Sequence, residues 1–131
     1  MEPRLRGWRT IVLMAAALVV FGGGYAAGAN RYGTPKTLLH VVIIQWKPGT
    51  TAAQKQQVLE GVRQMAARIP GVRNVWLKPA RMGSLQWNAA FAIEFDSAAA
   101  ADRYANAPAH QAWSQMEDAV RAASLNVQVT N

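Results

Sequence analysis

The chain has 131 residues, 14 lysines and arginines, 7 acidic residues, a net charge of +7 and no cysteine. That length allows one domain with a modest core. With His40 and His110 as its only 2 histidines, one chain cannot supply an ordinary zinc site. The positive charges after position 30 are spread singly, which argues against nucleic-acid binding. We therefore predict no metal, no other cofactor and no nucleic-acid partner.

The N-terminal residues have the features of an export signal. Arginines at positions 4, 6 and 9 precede an apolar run from Ile11 to Phe21, and small residues lead up to Ala29. This order predicts a signal peptide over residues 1–29, cleaved after Ala29, and a periplasmic or secreted domain. The alternative is an uncleaved anchor, residues 10–29, in the inner membrane, which would be the only membrane contact. Residues 30–36 are predicted to be a linker.

The first half of the segment 37–131 predicts a strand, a helix and a second strand. Residues 37–46 are apolar on both alternating faces, as expected of a strand covered on both sides. Thr51 and Gln54 form a capping-box pattern, and apolar residues then recur at helical spacing as far as Ile69. Pro70-Gly71 ends that helix, and residues 72–78 predict the second strand.

The second half predicts two more strands with a broken helix between them. Residues 88–95 alternate as a strand, Ser97 begins a helix that ends near Asn106, and Pro108 suits the first turn of another. We expect Trp113 and its apolar neighbours to face inward and Glu117, with the adjacent charges, to face outward. A strand containing Leu125, Val127 and Val129 completes an α+β, ferredoxin-like βαββαβ fold with a four-stranded antiparallel sheet.

The candidate site residues lie close to the break in the second helix. Tyr104 and His110 flank Pro108, and His40 lies in the first strand. His40 and His110 are the two side chains of the sequence that can exchange a proton near neutral pH. Tyr104, His110 and His40 are therefore the candidate site residues. The simpler structural alternative makes His110 a helix cap and Tyr104 the large residue that holds its helix to the sheet.

These segments also carry a family resemblance. The opening strand ending in Lys47-Pro48-Gly49, the helix ending in Ile69-Pro70-Gly71-Val72, the strand 91–96 and the segment Tyr104 to His110 occur in the order seen in the stress-responsive A/B barrel (Dabb) family. The resemblance covers residues 37–130. It implies a ferredoxin-like unit that dimerises into an α/β barrel, so we expect a homodimer.

The resemblance also implies roles for individual residues. One branch of the family contains a plant polyketide cyclase, and this region resembles it. There the histidine matching His110 takes a proton for an intramolecular aldol closure, the tyrosine matching Tyr104 holds the substrate oxygen, and the histidine matching His40 lines the pocket. The cyclase has a further histidine where this chain has Ala107.

Three functions remain open from the sequence. The first is an exported dimeric barrel that binds a small apolar or aromatic molecule, or acts in a stress response, without catalysis; His40, Val42, Ile44 and Trp113 would line its pocket. The second is a cyclase-like enzyme with His110 as base and Tyr104 as its partner. The third is a cofactor-independent or haem-degrading monooxygenase of the antibiotic-biosynthesis type, with its tryptophan drawn from positions 76, 87 and 113.

Overall fold

The computed structural model describes residues 11–19 and 36–130 of the chain. Residues 11–19 form a helix, α1. The predicted basic region, the predicted cleavage after Ala29 and nearly all of the predicted linker lie outside the described residues. None of the described helices is long and apolar enough to span a membrane. The chain divides into two units, of which the second, Pro35–Asn131, contains the sheet.

The second unit has the predicted βαββαβ order, with the second helix broken at Pro108. Its strands pair antiparallel in the order β2-β3-β1-β4, so β1 lies inside the sheet and β4 at an edge. The ferredoxin-like α+β fold is thus confirmed. The elements are β1 (Leu38–Trp46), α2 (Ala52–Ala66), β2 (Val72–Trp76), β3 (Ala89–Phe95), α3 (Ala98–Ala105), α4 (Pro108–Val120) and β4 (Arg121–Val129).

Helix α2 begins where the sequence predicts. The Thr51 side chain accepts a hydrogen bond from the backbone N–H of Gln54, and the Gln54 side chain accepts one from the backbone N–H of Thr51. The helix ends at Ala66, before the predicted Ile69, which is still buried in the following turn. Gly71 closes that turn at φ 91°, a conformation that other residues rarely adopt. A Cβ there would lie only 2.5 Å from the Cβ of Ala100.

The helices of this unit cover one face of the sheet, which we call the covered face. On β1 it carries Leu38, Val42, Ile44 and Trp46, all of which are buried. The alternate β1 residues lie on the opposite, open face and are only partly buried. The sequence predicted a strand covered on both sides, but within this chain the helices cover only one side. The other large core side chains on the covered side are Val58, Val62, Met65, Phe91, Ile93, Phe95, Tyr104 and Trp113.

Strand β4 follows α4 without a loop. Arg121 caps the helix with an extended backbone, φ −84° and ψ 125°, and is also the first residue of the strand. The strand therefore begins four residues before Leu125, the first residue that its apolar pattern marks. This direct junction brings the last turn of α4 and the start of β4 to the same end of the sheet.

Candidate functional site

A cavity of about 190 Å³ lies between the covered face of β1 and β4 and the helices α3 and α4. His40, Tyr104 and His110 all line it, so the structure brings the three predicted polar side chains together. The strand β1 supplies two lining residues, α3 one, and α4 and β4 the rest. The full lining is His40, Val42, Tyr104, His110, Trp113, Ser114, Glu117, Arg121, Ser124 and Asn126.

His40 enters the cavity from the covered face of β1. Its ring centroid lies 5.7 Å from that of Tyr104. Its Nδ1 is buried and has no hydrogen-bond partner within residues 11–19 and 36–130. Burial, and then the nearby His110, lower the pKa of His40 below its ordinary value. The lowered pKa favours the neutral form of the His40 ring.

Tyr104 packs between the core and the two histidines. It is 5% exposed, and its ring lies 5.1 Å from that of Phe95 and 4.3 Å from that of His110. Burial raises the pKa of the phenol well above its usual range, and the nearby Glu117 carboxyl raises that pKa further. Tyr104 thus remains protonated and can act as a hydrogen-bond donor. The packing also supports its predicted role of holding α3 to the sheet.

His110 bridges the two halves of the broken helix. Its Nδ1 lies 3.1 Å from the carbonyl oxygen of Ala105, at the end of α3. Because a carbonyl oxygen only accepts, this hydrogen bond requires the proton on Nδ1 and leaves the lone pair on Nε2. Nε2 lies 3.4 Å from the Oγ of Ser114. Burial lowers the pKa of His110, and the bond to Ala105 partly offsets that effect.

The two predicted roles of His110 therefore coexist in the structure. Nδ1 binds a helix-end carbonyl, as a cap does, while the ring lines the cavity and carries its unprotonated nitrogen at Nε2. A neutral imidazole with a fixed tautomer is the form that a general base requires.

The apolar candidates are divided between cavity and core. Val42 lines the cavity, whereas Ile44 is 0% exposed in the core and is not part of the lining. Trp113 contributes its ring, but its indole Nε1 donates a 2.9 Å hydrogen bond to the carbonyl of Val58 on α2. The polar group of Trp113 therefore links α4 to α2.

Glu117 is the main correction to the sequence analysis. We predicted that it faces outward, but it is 6% exposed and lines the cavity. The signal was present in the spacing, because Glu117 lies four residues after Trp113 and three before Val120, on the buried stripe of α4. Burial raises the pKa of its carboxyl; Arg121 opposes that shift and Asp118 adds to it.

Strand β4 also contributes lining residues that the sequence did not predict. Ser124 and Asn126 line the cavity, and Asn126 pairs with Val42 on the neighbouring strand. Both alternate with Leu125 and Val127 along β4, so they share one face of the strand. Alternation alone does not show whether that face is the covered or the open one. As a result the lining is polar apart from Val42 and Trp113, in contrast to the expected apolar pocket.

Two other observations bear on the alternatives. Trp76 is 46% exposed on the open face and Trp87 belongs to the β2–β3 loop, so of these tryptophans only Trp113 reaches the cavity. Among the residues that the structure describes, no three His, Cys, Asp or Glu side chains form a metal-binding group.

A larger groove of about 510 Å³ lies between α2 and the ends of β2 and β3. Leu59, Leu77, Pro79 and Ala89 give it an apolar floor, and no histidine or tyrosine lines it. The smaller cavity is therefore the better candidate for chemistry, because the buried titratable groups converge there.

The fold and the cavity together define a ferredoxin-like α+β domain with a polar site under its last helix. A family model described as Stress Responsive A/B Barrel Domain matches residues 38–127. The chain belongs to the stress-responsive A/B barrel (Dabb) family, as its resemblance implied. A search of curated proteins finds no match to this chain.

Solved structures with the same fold have different descriptions. A dimeric ferredoxin-like protein of unknown function from Bacteroides fragilis is 20% identical, with a TM-score of 0.59 over 76% of this chain and 100% of that one. Hydroxynitrile lyase from Passiflora edulis is 15% identical, with a TM-score of 0.63 over 72% and 93% of the two chains. SnoaB, a cofactor-independent oxygenase from Streptomyces nogalater, is 14% identical, with a TM-score of 0.60 over 73% and 93%. At these identities the likeness shows the fold alone.

Proposed function

We propose that this protein binds a small polar molecule in the cavity between His40, Tyr104 and His110. The main support is that these three side chains, from β1, α3 and α4, converge on one cavity. A cavity of about 190 Å³ favours a compact ligand over an extended polyketide chain. The polar lining favours it over the apolar or aromatic ligand that the sequence suggested.

Titration of the protein with acetylacetone, a compact β-diketone, tests this proposal. Histidine ring NMR signals report occupancy, and His110→Ala should weaken binding at least tenfold. His110→Asn keeps a donor for the Ala105 carbonyl but lacks the ring, so it separates loss of the site from loss of the cap. Gln56→Ala, in the larger groove, is the control that should leave affinity unchanged. Binding that depends on Gln56 and not on His110 would show that acetylacetone binds in that groove instead.

Proton transfer is the second candidate function, and the fixed tautomer of His110 favours it. Nε2 would take a proton from carbon next to a carbonyl group, and the electron pair would pass to the carbonyl oxygen as an enolate. The Tyr104 O–H would donate a hydrogen bond to that oxygen. A cyclase-type aldol closure begins with the same step.

Deuterium exchange tests this activity without knowledge of the substrate. In D₂O the enolate would return to the ketone with a deuteron, so acetone should lose its C–H signal faster with the protein than without it. We expect His110→Asn to abolish the acceleration and Tyr104→Phe to reduce it about tenfold or more. If acetylacetone binds and acetone shows no accelerated exchange, the protein is a binding module only.

We further propose that the domain acts as a homodimer outside the cytoplasm. Similar structures described as dimeric support the dimer. The arginines before position 10, the apolar run and the small residues up to Ala29 support export. Mass spectrometry of the cellular protein distinguishes the two forms: cleavage gives a chain that starts at Asn30, whereas an anchor leaves the N-terminal residues in the membrane fraction.

A further inference from the structure

Helix α4 and strand β4 form a wedge that narrows to Arg121, where the helix runs into the strand without a loop. The Arg121 side chain ties the two elements together at this point. One terminal guanidinium nitrogen donates to Ser124 Oγ on β4 at 3.2 Å, and the other binds the Asp118 carboxylate on α4. Its Nε lies 3.3 Å from Oε1 of the buried Glu117. These contacts close the cavity at the narrow end of the wedge.

The three candidate site residues lie at the opposite end of the wedge. His110 lies in the first turn of α4, at the far end of the helix from Arg121. His40 pairs with Gln128, close to the far end of β4. The ring of Tyr104 lies 5.7 Å from that of His40 and 4.3 Å from that of His110. A molecule that enters from the end opposite Arg121 would therefore meet these side chains first.

The exposure of Asn126 indicates where the cavity opens. Asn126 pairs with Val42, so the two side chains lie on the same side of the sheet. Val42 is only 5% exposed, yet Asn126 is exposed. The helices therefore cover β1 at this level but leave β4 uncovered. Among the described residues that line the cavity, Asn126 is the only exposed one.

The position of β4 in the sheet makes this opening accessible. β4 is an edge strand, and no other strand of the described sheet lies beyond it. A molecule from solvent can therefore pass the Asn126 side chain without crossing the core. The apolar side of the cavity offers no such route, because Val42 and Trp113 are buried there.

We propose that ligands enter the site over the edge strand at Asn126, and that this side chain is a specificity-determining residue that limits the size of the molecules admitted. The proposal rests on the proposed binding function of the cavity and adds an entrance to it. Because the side chain is exposed, its replacement should disturb the packed core little.

Two β-diketones of different size test the size limit on the full chain. Heptane-3,5-dione has one more carbon at each end than acetylacetone. We expect it to enter the wild-type protein about tenfold or more slowly, and Asn126→Ala should reduce that difference to less than threefold. Relaxation dispersion of the histidine ring NMR signals measures the association and dissociation rates. Equal rates of entry for the two ligands into the wild type would overturn the size limit.

A larger side chain tests the entrance itself. Asn126→Trp should slow both association and dissociation of acetylacetone about tenfold or more and change Kd less than threefold, because a barrier outside the bound ligand opposes entry and exit equally. A side chain that only supports the bound ligand would change Kd instead. Asn74→Trp is the matched control: Asn74 is an exposed asparagine on the other edge strand, β2, and does not line the cavity, so both rates should stay unchanged.

The outcomes separate this inference from the proposed function. Unchanged rates in both Asn126 variants, or an Asn126→Trp variant that binds more weakly without slower dissociation, would overturn the entrance and leave the binding site. If Asn126→Trp does not fold, the comparison of the two diketones in Asn126→Ala decides. Failure of acetylacetone to shift the histidine signals of the wild type would overturn both the site and its entrance.

Discussion

The two faces of the sheet differ in a way that burial alone does not explain. The covered face is apolar along β3 and most of β1 but polar at β4, where Ser124 and Asn126 border the cavity. At the same strand, β4, the open face is apolar. There Leu125, Val127 and Val129 are 47%, 43% and 52% exposed and lie beside Ile43, Val41 and Leu39 of β1.

Strand β4 thus has its polar side toward the helices and its apolar side toward solvent, which reverses the usual arrangement of an edge strand on a covered sheet. The reversal has two consequences. The polar side cannot complete an apolar core, so it leaves a cavity with hydrogen-bonding walls. The apolar side forms a contiguous exposed patch with β1, and such a patch is typical of an interface. One face carries the site and the other is suited to a second copy of the chain.

Adjacent residues on β1 give the largest expected difference between the faces. Ile44 is 0% exposed on the covered face, whereas its neighbour Ile43 lies on the open face. Ile44→Ala should lower the free energy of unfolding by about 2–5 kcal/mol, because it leaves a cavity in a packed core. Ile43→Ala should cost clearly less at protein concentrations below the dimer dissociation constant. Denaturant unfolding measures both, and equal losses would show that the open face is as well packed as the core.

A charge on the open face gives the next largest effect. Val127→Glu should weaken the proposed dimer about 100-fold or more, since like charges would meet across an apolar interface. Light scattering and sedimentation at tens of micromolar should then show a monomer with an unchanged circular dichroism spectrum. Leu85→Glu, on a fully exposed loop residue (103%), is the control that should remain dimeric. A wild-type chain that is monomeric at this concentration contradicts the dimer directly.

The contrast between the faces also explains what the sequence could and could not predict. Alternation and helical spacing located the elements, because Ile93 and Phe95, like Val58 and Val62, recur at the period of their element. The resemblance to the family identified His40, Tyr104 and His110. Elements with one consistent apolar face were therefore predictable.

The other half of the cavity was not predicted, because it depends on residues that break the pattern. Glu117 lies on the buried stripe of α4 but is charged, so its chemistry suggested solvent and its spacing suggested burial. On β4 the alternation of apolar and polar residues does not show which side faces the helices, and the structure has the apolar residues on the open face. The pairing of Asn126 with Val42 and of Ser124 with Ile44 shows which side of β4 the helices cover.

The smallest expected effect is the pH dependence of stability that comes from the titratable groups lining the cavity. His40 and His110 have pKa values lowered from 6.5 in the folded chain, so the unfolded chain binds protons more readily. The stability that these shifts contribute is complete above pH 6.5. It is lost as the pH falls through the pKa values of the folded chain, by at most about 1.4 kcal/mol per pH unit for each group. Glu117 acts in the opposite direction: its pKa is raised from 4.5, so its contribution is lost as the pH rises through the folded value.

The variants His40→Gln and His110→Asn isolate the histidine part of this dependence. Each should make the unfolding free energy fall less steeply than that of the wild type as the pH decreases from 7 to 5. Val127→Gln, which changes only the open face, should keep the wild-type slope. Urea unfolding at several pH values measures these slopes. Identical slopes for all four proteins would mean that both histidines titrate in the folded chain as they do in the unfolded one. The cavity would then be as accessible to water as the open face.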